Sequence, residues 1–304
     1  MEQQTHPSWF LGLIGFFYPE WSTTLYAGAP RAAHRLSWYA AHFNAVEINA
    51  TFHAVPPIKT VQAWADATPA DFRFCVKMPR DVTHGPTPPG ARAADCPPPG
   101  HLVRDSTIVI AHRLIEAIGP LDGKLGAVLL QFPPKFTADR RDELLAFLDR
   151  LPRTVPFAVE LRHASWWTPE THAALRDRGV CWVASDESPS HDAQYEPGAA
   201  KDVARSPRHI MPTTDFLYIR WLGRHNQFTD RRAEHVDTTP RLRWWGSRLR
   251  ELLDSSPRTR AVYGFFDNDF AGHAPVTARR FMDIVGQTPP SIPTQHSIGP
   301  TLFG

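Results

Sequence analysis

Two charged side chains near the middle of the chain have types and spacing suited to acid–base chemistry. Glu160 and Arg162 lie two residues apart, so in an extended strand both point to the same face. An arginine beside a glutamate lowers the pKa of the carboxyl group, whereas burial raises it. The pair can therefore provide a base next to an anion-binding group, or it can be a salt bridge that stabilises the fold.

Further residues of this kind occur at the ends of other apolar segments. Four are predicted as catalytic because their side chains can transfer protons: Glu47, His84, Glu160 and Asp186. Eight more are predicted to bind a substrate through charge, hydrogen bonds or stacking: Asn49, Lys77, Gln131, Arg162, Trp166, Arg220, Asp267 and Asn268. We expect Glu47 to pair with Lys77 and keep it protonated, which favours anion binding over nucleophilic attack for this lysine.

The segments that carry these residues are short, apolar and typical of buried strands. There are eight of them, at 14–17, 45–49, 72–77, 127–132, 157–162, 181–186, 216–220 and 261–268. Continuous apolar segments fit parallel strands, because such strands are covered on both faces. Eight of them with helices between predict an α/β fold, a single (β/α)8 barrel of the TIM type, with its site at the carboxyl ends of the strands.

Helical stretches separate the predicted strands. Apolar periodicity and helix-start residues predict helices over 31–43, 105–118, 139–151, 168–179, 239–252 and 275–285. Thr168 has the type of a capping residue, and Pro169 suits the first helical position. Residues 85–100 and 187–214 are predicted as long loops over the barrel mouth, where such loops are functional lids or insertions without order.

The alternation of side chains along a strand predicts which residues face the barrel interior. In the segment 157–162, Phe157, Val159 and Leu161 share the outward face, so Glu160 and Arg162 point inward. The inward set near the mouth is then Glu47, Asn49, Lys77, Gln131, Glu160, Arg162, Asp186, Arg220 and either Asp267 or Asn268. Because burial of an unpaired charge is costly, this set predicts a wet mouth or a network of ion pairs.

Length and composition limit the classes of protein that the chain can be. Its 304 residues suit one α/β barrel, which we place at 11–288, with a loose leader at 1–10 and a tail at 289–304. The formal net charge of +2 gives no general attraction to nucleic acid. No apolar segment approaches membrane-spanning length, and the three cysteines have no paired spacing, so we expect a cytoplasmic protein without disulfides.

Six segments together resemble the YecE-like family, also called domain of unknown function 72. They are VEINATF at 46–52, FRFCVKMPRDVTH at 72–84, LGAVLLQFPPKF at 125–136, FAVELRHASWW at 157–167, FLYIRWLG at 216–223 and FFDNDFAGHAPVTA at 265–278. They occur in the family's order between about Gly15 and Val285. The resemblance implies a TIM-type barrel with these residues around its mouth, and it implies no established activity.

Three functions remain open at this point. The leading one is an enzyme that binds a small anionic or sugar-like substrate through Lys77, Arg162 and Arg220, with carboxylates for proton transfer. The second is a barrel that uses a divalent metal bound by Glu47, His84, Glu160, Asp186 and Asp267, although the interspersed cations repel a metal and no cofactor is required. The third is a non-catalytic module that binds a ligand, or nucleic acid through surface arginines.

Overall fold

Parallel strands form the centre of the molecule. The computed structural model describes residues 7–29, 34–85, 98–187 and 210–287. Within these ranges nine strands form one sheet in the order β6-β5-β4-β3-β2-β1-β9-β8-β7. The strands are β1 Ser8–Ile14, β2 Ala45–Ile48, β3 Arg73–Lys77, β4 Leu125–Gln131, β5 Phe157–Glu160, β6 Val180–Trp182, β7 Ala184–Asp186, β8 Phe216–Trp221 and β9 Ala261–Phe266. All pairs are parallel and the sheet is a nearly closed barrel, which confirms the predicted α/β barrel.

The sixth predicted strand is split in two. Strand β6 pairs with β5, whereas β7 pairs with β8 on the other side of the barrel. Between the two halves, the backbone N–H of Val183 donates to the carbonyl of Val159 at 3.0 Å. One chain segment therefore contacts both ends of the sheet, and the nine observed strands correspond to the eight predicted apolar segments.

The first strand lies earlier in the chain than predicted. We expected it at 14–17, but β1 ends at Ile14, and Gly15 turns the chain with a φ of +79°. Gly12 has the close approach that a barrel strand requires, since a Cβ there would lie 1.8 Å from the Ala45 carbonyl oxygen. Both 11–14 and 14–17 are apolar, so composition alone did not separate strand from turn. The strand begins inside the stretch that we expected to be a loose leader.

Helices follow most strands and cover the outside of the barrel. The described residues form eight α-helices: α1 Arg35–Ala40, α2 Ile58–Asp66, α3 Arg80–Thr83, α4 Asp105–Ala117, α5 Arg141–Leu148, α6 Pro169–Asp177, α7 Thr239–Ser255 and α8 Ala274–Val285. The Thr168 cap is confirmed, because its hydroxyl accepts from the Thr171 N–H at 3.2 Å. Helices α2 and α3 were not predicted. None of the described helices is long and apolar enough to cross a membrane.

Some predicted segments fall outside the described residues. The predicted helix 31–43 is observed only as α1, and residues 30–33 are not described. The two predicted loops correspond largely to residues 86–97 and 188–209, and the predicted tail corresponds to 288–304, which lie outside the described ranges as well.

Two apolar layers hold the barrel together. The outer layer packs the sheet against the helices and includes Leu13, Val46 and Val159. The inner layer fills the barrel and includes Ala45, Cys75, Leu129, Ala158, Tyr218 and Phe265. The inner positions alternate with the outer ones, as predicted. Towards the carboxyl end of each strand, the inward positions change from these apolar residues to the charged residues of the mouth.

Candidate functional site

A buried guanidinium from β8 lies at the centre of the charged mouth. Arg220 donates from Nε to Glu47 Oε2 at 2.9 Å and from Nη2 to Glu47 Oε1 at 2.8 Å. Its third nitrogen, Nη1, donates to Glu160 Oε2 at 2.5 Å, and Tyr218 donates its hydroxyl to Glu47 at 2.8 Å. Burial opposes the charge of Arg220, but Glu47 and then Glu160 hold its pKa well above the ordinary value. Arg220 is therefore a permanent cation, and each of its three nitrogens donates to a carboxylate.

Glu160, at the end of β5, connects this centre to the outer mouth. Its Oε1 accepts from Arg162 Nε at 2.6 Å and from Gln131 Nε2 at 3.0 Å. Arg162 also lies 2.9 Å from a carboxylate oxygen of Glu187. Burial alone would raise the pKa of Glu160, but Arg220 and Arg162 together hold it well below the usual range. A carboxylate stabilised in this way is a weak base, so the geometry favours the salt-bridge interpretation of Glu160 over proton transfer.

Lys77, at the end of β3, is not paired as we expected. Glu47 binds Arg220 instead, and no carboxylate of the described residues forms an ion pair with the Lys77 ammonium. The Lys77 Nζ lies 3.9 Å from the centre of the Phe52 ring, and the residue is 8% exposed. Burial and then the charge of Arg220 lower the pKa of Lys77 to about 8, against the opposite effect of Glu47. Lys77 is thus a nearly buried cation without a carboxylate partner in the part of the chain described.

His84 lies beside the same aromatic ring. Its imidazole contacts the Phe52 ring edge to face at 5.2 Å, and its Nδ1 lies 2.9 Å from the Thr83 hydroxyl. Burial, followed by the charges of Lys77 and Arg80, lowers the pKa of His84 to about 4. The ring is therefore neutral at pH 7 and can exchange hydrogen bonds with a ligand rather than carry charge.

Residues after β2 and β9 complete the mouth. Asp267 accepts from the Asp269 N–H at 2.9 Å, and burial raises its pKa to about 6. Asn49 has a buried side-chain oxygen without a hydrogen-bond partner among the described residues. Asn268 points the other way, because its oxygen accepts from Trp21 Nε1 at 3.2 Å and from the first backbone N–H of α8. Of the two alternatives at 267 and 268, the structure places Asp267 towards the mouth.

Two predicted site residues have side chains that face the helices rather than the barrel interior. Asp186 shares its face with outward Ala184, and its carboxylate accepts from Arg241 Nε at 2.7 Å and from Trp245 Nε1 at 2.8 Å. The inward prediction for Asp186 was wrong because Cys181 and Val183 take the inward positions of that segment. Trp166 is fully buried, and its Nε1 donates to the Phe136 carbonyl at 2.6 Å, so it cannot stack on a substrate.

The residues considered as metal ligands are not gathered at one point. Glu47 and Glu160 are bound to guanidinium groups, and Asp186 faces α7. Among the described residues, no group of three or more His, Cys, Asp or Glu side chains could hold a metal ion. The described part of the mouth is therefore a network of ion pairs rather than a cluster of metal-ligating side chains.

Several residues of the site were missed in the sequence. Tyr218 lies two residues before Arg220 on β8, so the alternation of side chains along the strand predicts that both face the barrel interior. Phe52 and Glu187 come after strand ends, where this alternation no longer predicts which way a side chain faces. A cavity of about 410 Å³ opens next to this region, lined by Phe52, His53, Ala54, Val55, Pro79, Arg80, Asp81, Ile110 and Arg113. Phe52 therefore contacts Lys77 and His84 and also lines the adjacent cavity.

The fold and the mouth define a parallel α/β barrel with a buried ion-pair network at the carboxyl ends of its strands. A family model described as "Protein of unknown function DUF72" matches residues 10–299, and the chain belongs to this family. The UPF0759 protein YecE of Escherichia coli K12 is 29% identical over 238 residues, which is 72% of this chain and 82% of YecE. The UPF0759 protein YunF of Bacillus subtilis is 24% identical over 295 residues, covering 91% of this chain and 94% of YunF.

Solved structures of the same family have the same architecture. A DUF72 family protein from Thermotoga maritima matches with a TM-score of 0.67 and 26% identity, covering 92% of this chain and 99% of that one. A DUF72 family protein from Enterococcus faecalis matches with a TM-score of 0.65 and 21% identity, covering 94% and 100% of the two chains. The similarity confirms the resemblance noted in the sequence and the barrel fold.

Proposed function

We propose that the protein is an enzyme that binds a small anionic molecule at the barrel mouth. The observation that carries the proposal is Lys77, a nearly buried lysine without a carboxylate partner among the described residues. Burial of an uncompensated charge is costly, and folded proteins retain it chiefly where it has a use. A carboxylate or phosphate of a ligand would supply the missing counter-ion.

The same mouth contains groups suited to proton transfer near neutral pH. The pKa of Lys77 is lowered to about 8, chiefly by burial, and the pKa of Asp267 is raised to about 6, also chiefly by burial. Groups whose environments move their pKa values towards neutrality are candidates for general acid and base. We therefore assign proton transfer to Asp267 in place of Glu160 and Glu47, and anion binding to Lys77. Free, buried thiols at Cys75 and Cys181 support a reducing location, the cytoplasm.

Binding of a ligand panel to a lysine variant tests the proposal. Calorimetry with small carboxylates, phosphate esters and neutral sugars would compare the wild type with Lys77→Met. We expect an anion to bind the wild type and to lose at least about tenfold in affinity in the variant, since a hydrogen bond to a charged group contributes about 1.5–3 kcal/mol. Wild-type affinity should also fall as the pH rises through about 8, where the ammonium loses its proton.

Lys59→Met is the matched control, because Lys59 is exposed on α2 and carries the same charge. It should bind the anion like the wild type. Equal affinity in Lys77→Met, or binding of neutral sugars alone, would contradict an anion site at Lys77.

A further inference from the structure

We propose that Lys77 forms a Schiff base with a small substrate that carries both a carbonyl group and a negative charge, such as an α-keto acid or a phosphorylated aldehyde. The inference rests on the proposed function, because it places the carbonyl carbon at the amine and the anionic group in the same mouth. It goes further by naming the covalent step and the chemical class of the substrate.

The first requirement for this step is an amine that is not held by other groups. The Lys77 Nζ has the Phe52 ring as its neighbour at 3.9 Å and forms neither a hydrogen bond nor an ion pair with the described residues. Lys124 shows the contrast, since its Nζ donates to the carbonyls of Ala65 and Thr68 at 2.6 and 2.7 Å. The Lys77 Nζ thus lies against an aromatic face and donates to no oxygen atom in the described part of the chain.

The second requirement is an environment that disfavours the ammonium form. The carboxylates of Glu47 and Glu160 are engaged by Arg220, and the remaining oxygen of Glu160 binds Arg162. Lys77 therefore lies near two guanidinium charges in a site with little solvent. Desolvation and a neighbouring cation are the two features that make lysine amines nucleophilic at neutral pH. The lowered pKa of Lys77, about 8, agrees with this arrangement.

The third requirement is a neutral group for proton relay. His84 lies against the Phe52 ring that Lys77 contacts, and its pKa of about 4 leaves the imidazole neutral. Its Nε2 forms no hydrogen bond with the described residues, while Nδ1 is near the Thr83 hydroxyl. A neutral imidazole can accept a proton on one nitrogen and donate one from the other.

The step balances without an oxidant or reductant. After the ammonium gives one proton to solvent, the Nζ lone pair attacks the carbonyl carbon, and the C=O π pair moves to oxygen. The nitrogen, now positively charged, loses one proton as the oxygen gains one, a transfer that the neutral His84 imidazole can relay. The resulting carbinolamine takes up a proton on its hydroxyl group and loses it as water, while the nitrogen lone pair forms the C=N bond. Overall one lysine ammonium and one carbonyl give one iminium cation and one water. The iminium keeps the positive charge of the Lys77 ammonium, so the carboxylate or phosphate of the substrate retains its counter-ion.

Reductive trapping on the full-length protein tests the inference. Glyoxylate, the smallest anionic aldehyde, is added with sodium cyanoborohydride, which delivers hydride to an iminium carbon and makes the adduct permanent. Peptide mass spectrometry then compares the chain's five lysines, Lys59, Lys77, Lys124, Lys135 and Lys201. We expect Lys77 to be labelled at least about tenfold faster than exposed Lys59, because its activated amine outweighs its burial. Acetaldehyde, which has no charge, should show a smaller preference.

Variants and a second ligand separate the possible outcomes. Lys77→Arg should lose the label while Lys124→Arg keeps it, and the wild-type peptide map gives the answer even if a variant misfolds. Labelling that follows exposure, with Lys59 first, would overturn the Schiff base. Glycolate has the carboxylate of glyoxylate but no aldehyde group. If glycolate binds in a Lys77-dependent way and glyoxylate is not trapped on Lys77, the result supports the anion site and contradicts the Schiff base. Equal preference for acetaldehyde would overturn the anionic class of the carbonyl substrate, and absence of Lys77-dependent glycolate binding would overturn the proposed function.

Discussion

The guanidinium of Arg220 determines what its neighbours in the mouth can do. Because it occupies both oxygens of Glu47 and one of Glu160, these carboxylates have little capacity left for a substrate. The same contacts remove the counter-ion that Lys77 would otherwise have. We therefore expect substrate binding and proton transfer at Lys77 and Asp267, next to the network, rather than at the two glutamates.

Replacement of Glu160 by Gln should destabilise the fold. The change leaves Arg220 and Arg162 without their shared carboxylate, and removal of one partner of a buried pair costs about 3–5 kcal/mol. Burial opposes ionisation of Glu160, but its two arginines hold the folded pKa below the ordinary 4.5. The stability difference should thus be complete above pH 4.5 and shrink as the pH falls through that lower pKa.

Urea unfolding at pH 7 and at pH 3 measures this effect. Glu187→Gln is the matched control, because Glu187 is one-third exposed at the outer end of the network. It should change the free energy of unfolding by less than about 1 kcal/mol. An unchanged stability of Glu160→Gln at pH 7 would show that the network contributes little to the fold.

Replacement of Lys77 by Met should stabilise the protein at pH 7. The folded-state pKa of about 8 lies below the ordinary 10.5, chiefly through burial, so the unfolded state binds the proton more tightly. Wild-type stability then rises with pH between about 8 and 10.5, and the advantage of the Met variant disappears over the same range. Unfolding at pH 7 and pH 10 measures the difference, with Lys59→Met as the neutral control. A less stable Met variant at pH 7 would show that Lys77 has a structural partner.

At the scale of the elements, Asp186 attaches helix α7 to the barrel. Its carboxylate binds both Arg241 and Trp245 on this helix, and all three residues are buried. Asp186→Ala leaves the Arg241 charge without this partner, so we expect a loss of about 3–5 kcal/mol in unfolding free energy. Affinity for the anion at Lys77 should remain as in the wild type.

Calorimetric binding together with thermal unfolding separates the two effects of the Asp186 variant. Arg248→Ala is its control, since Arg248 lies on the exposed face of α7 and should change stability little. If folded Asp186→Ala failed to bind the anion, Asp186 would belong to the site after all.

Periodic features of the chain were predictable, and features that depend on closure of the barrel were not. Helices α4 and α8 were located within one residue, because a helix shows its buried face as a local repeat. Strand alternation placed Glu47, Lys77 and Arg220 inside for the same reason. Arg220 and Glu47 are 173 residues apart in the sequence. A local sequence pattern therefore does not predict which carboxylate binds the Arg220 guanidinium.

At the scale of the whole molecule, the two ends of the sheet are held by short ladders. Strands β6 and β7 each pair through three residues with their neighbours, whereas β1 and β9 pair through six. Short ladders open at lower free energy than long ones with buried flanks. We expect amides of β6 and β7 to exchange hydrogen with solvent faster than those of β1 and β9.

Hydrogen exchange with peptide-level mass spectrometry measures this order. Bound anion should slow exchange at β2 and β3, which carry Glu47 and Lys77, more than at β6. Equal protection of β1 and β6 would indicate that the split strand closes the barrel as firmly as a continuous one.

The long ladder between β1 and β9 has a consequence for the order of events during protein synthesis. It joins residues 8–13 to residues 261–266, so the ribosome makes β1 before and β9 after all the other described strands. Throughout most of translation, β1 has β2 as a partner on one side and an open edge on the other. Open strand edges pair readily with other chains. We therefore expect nascent chains to depend on chaperones until β9 emerges from the ribosome, because β9 is the strand that pairs with the open edge of β1.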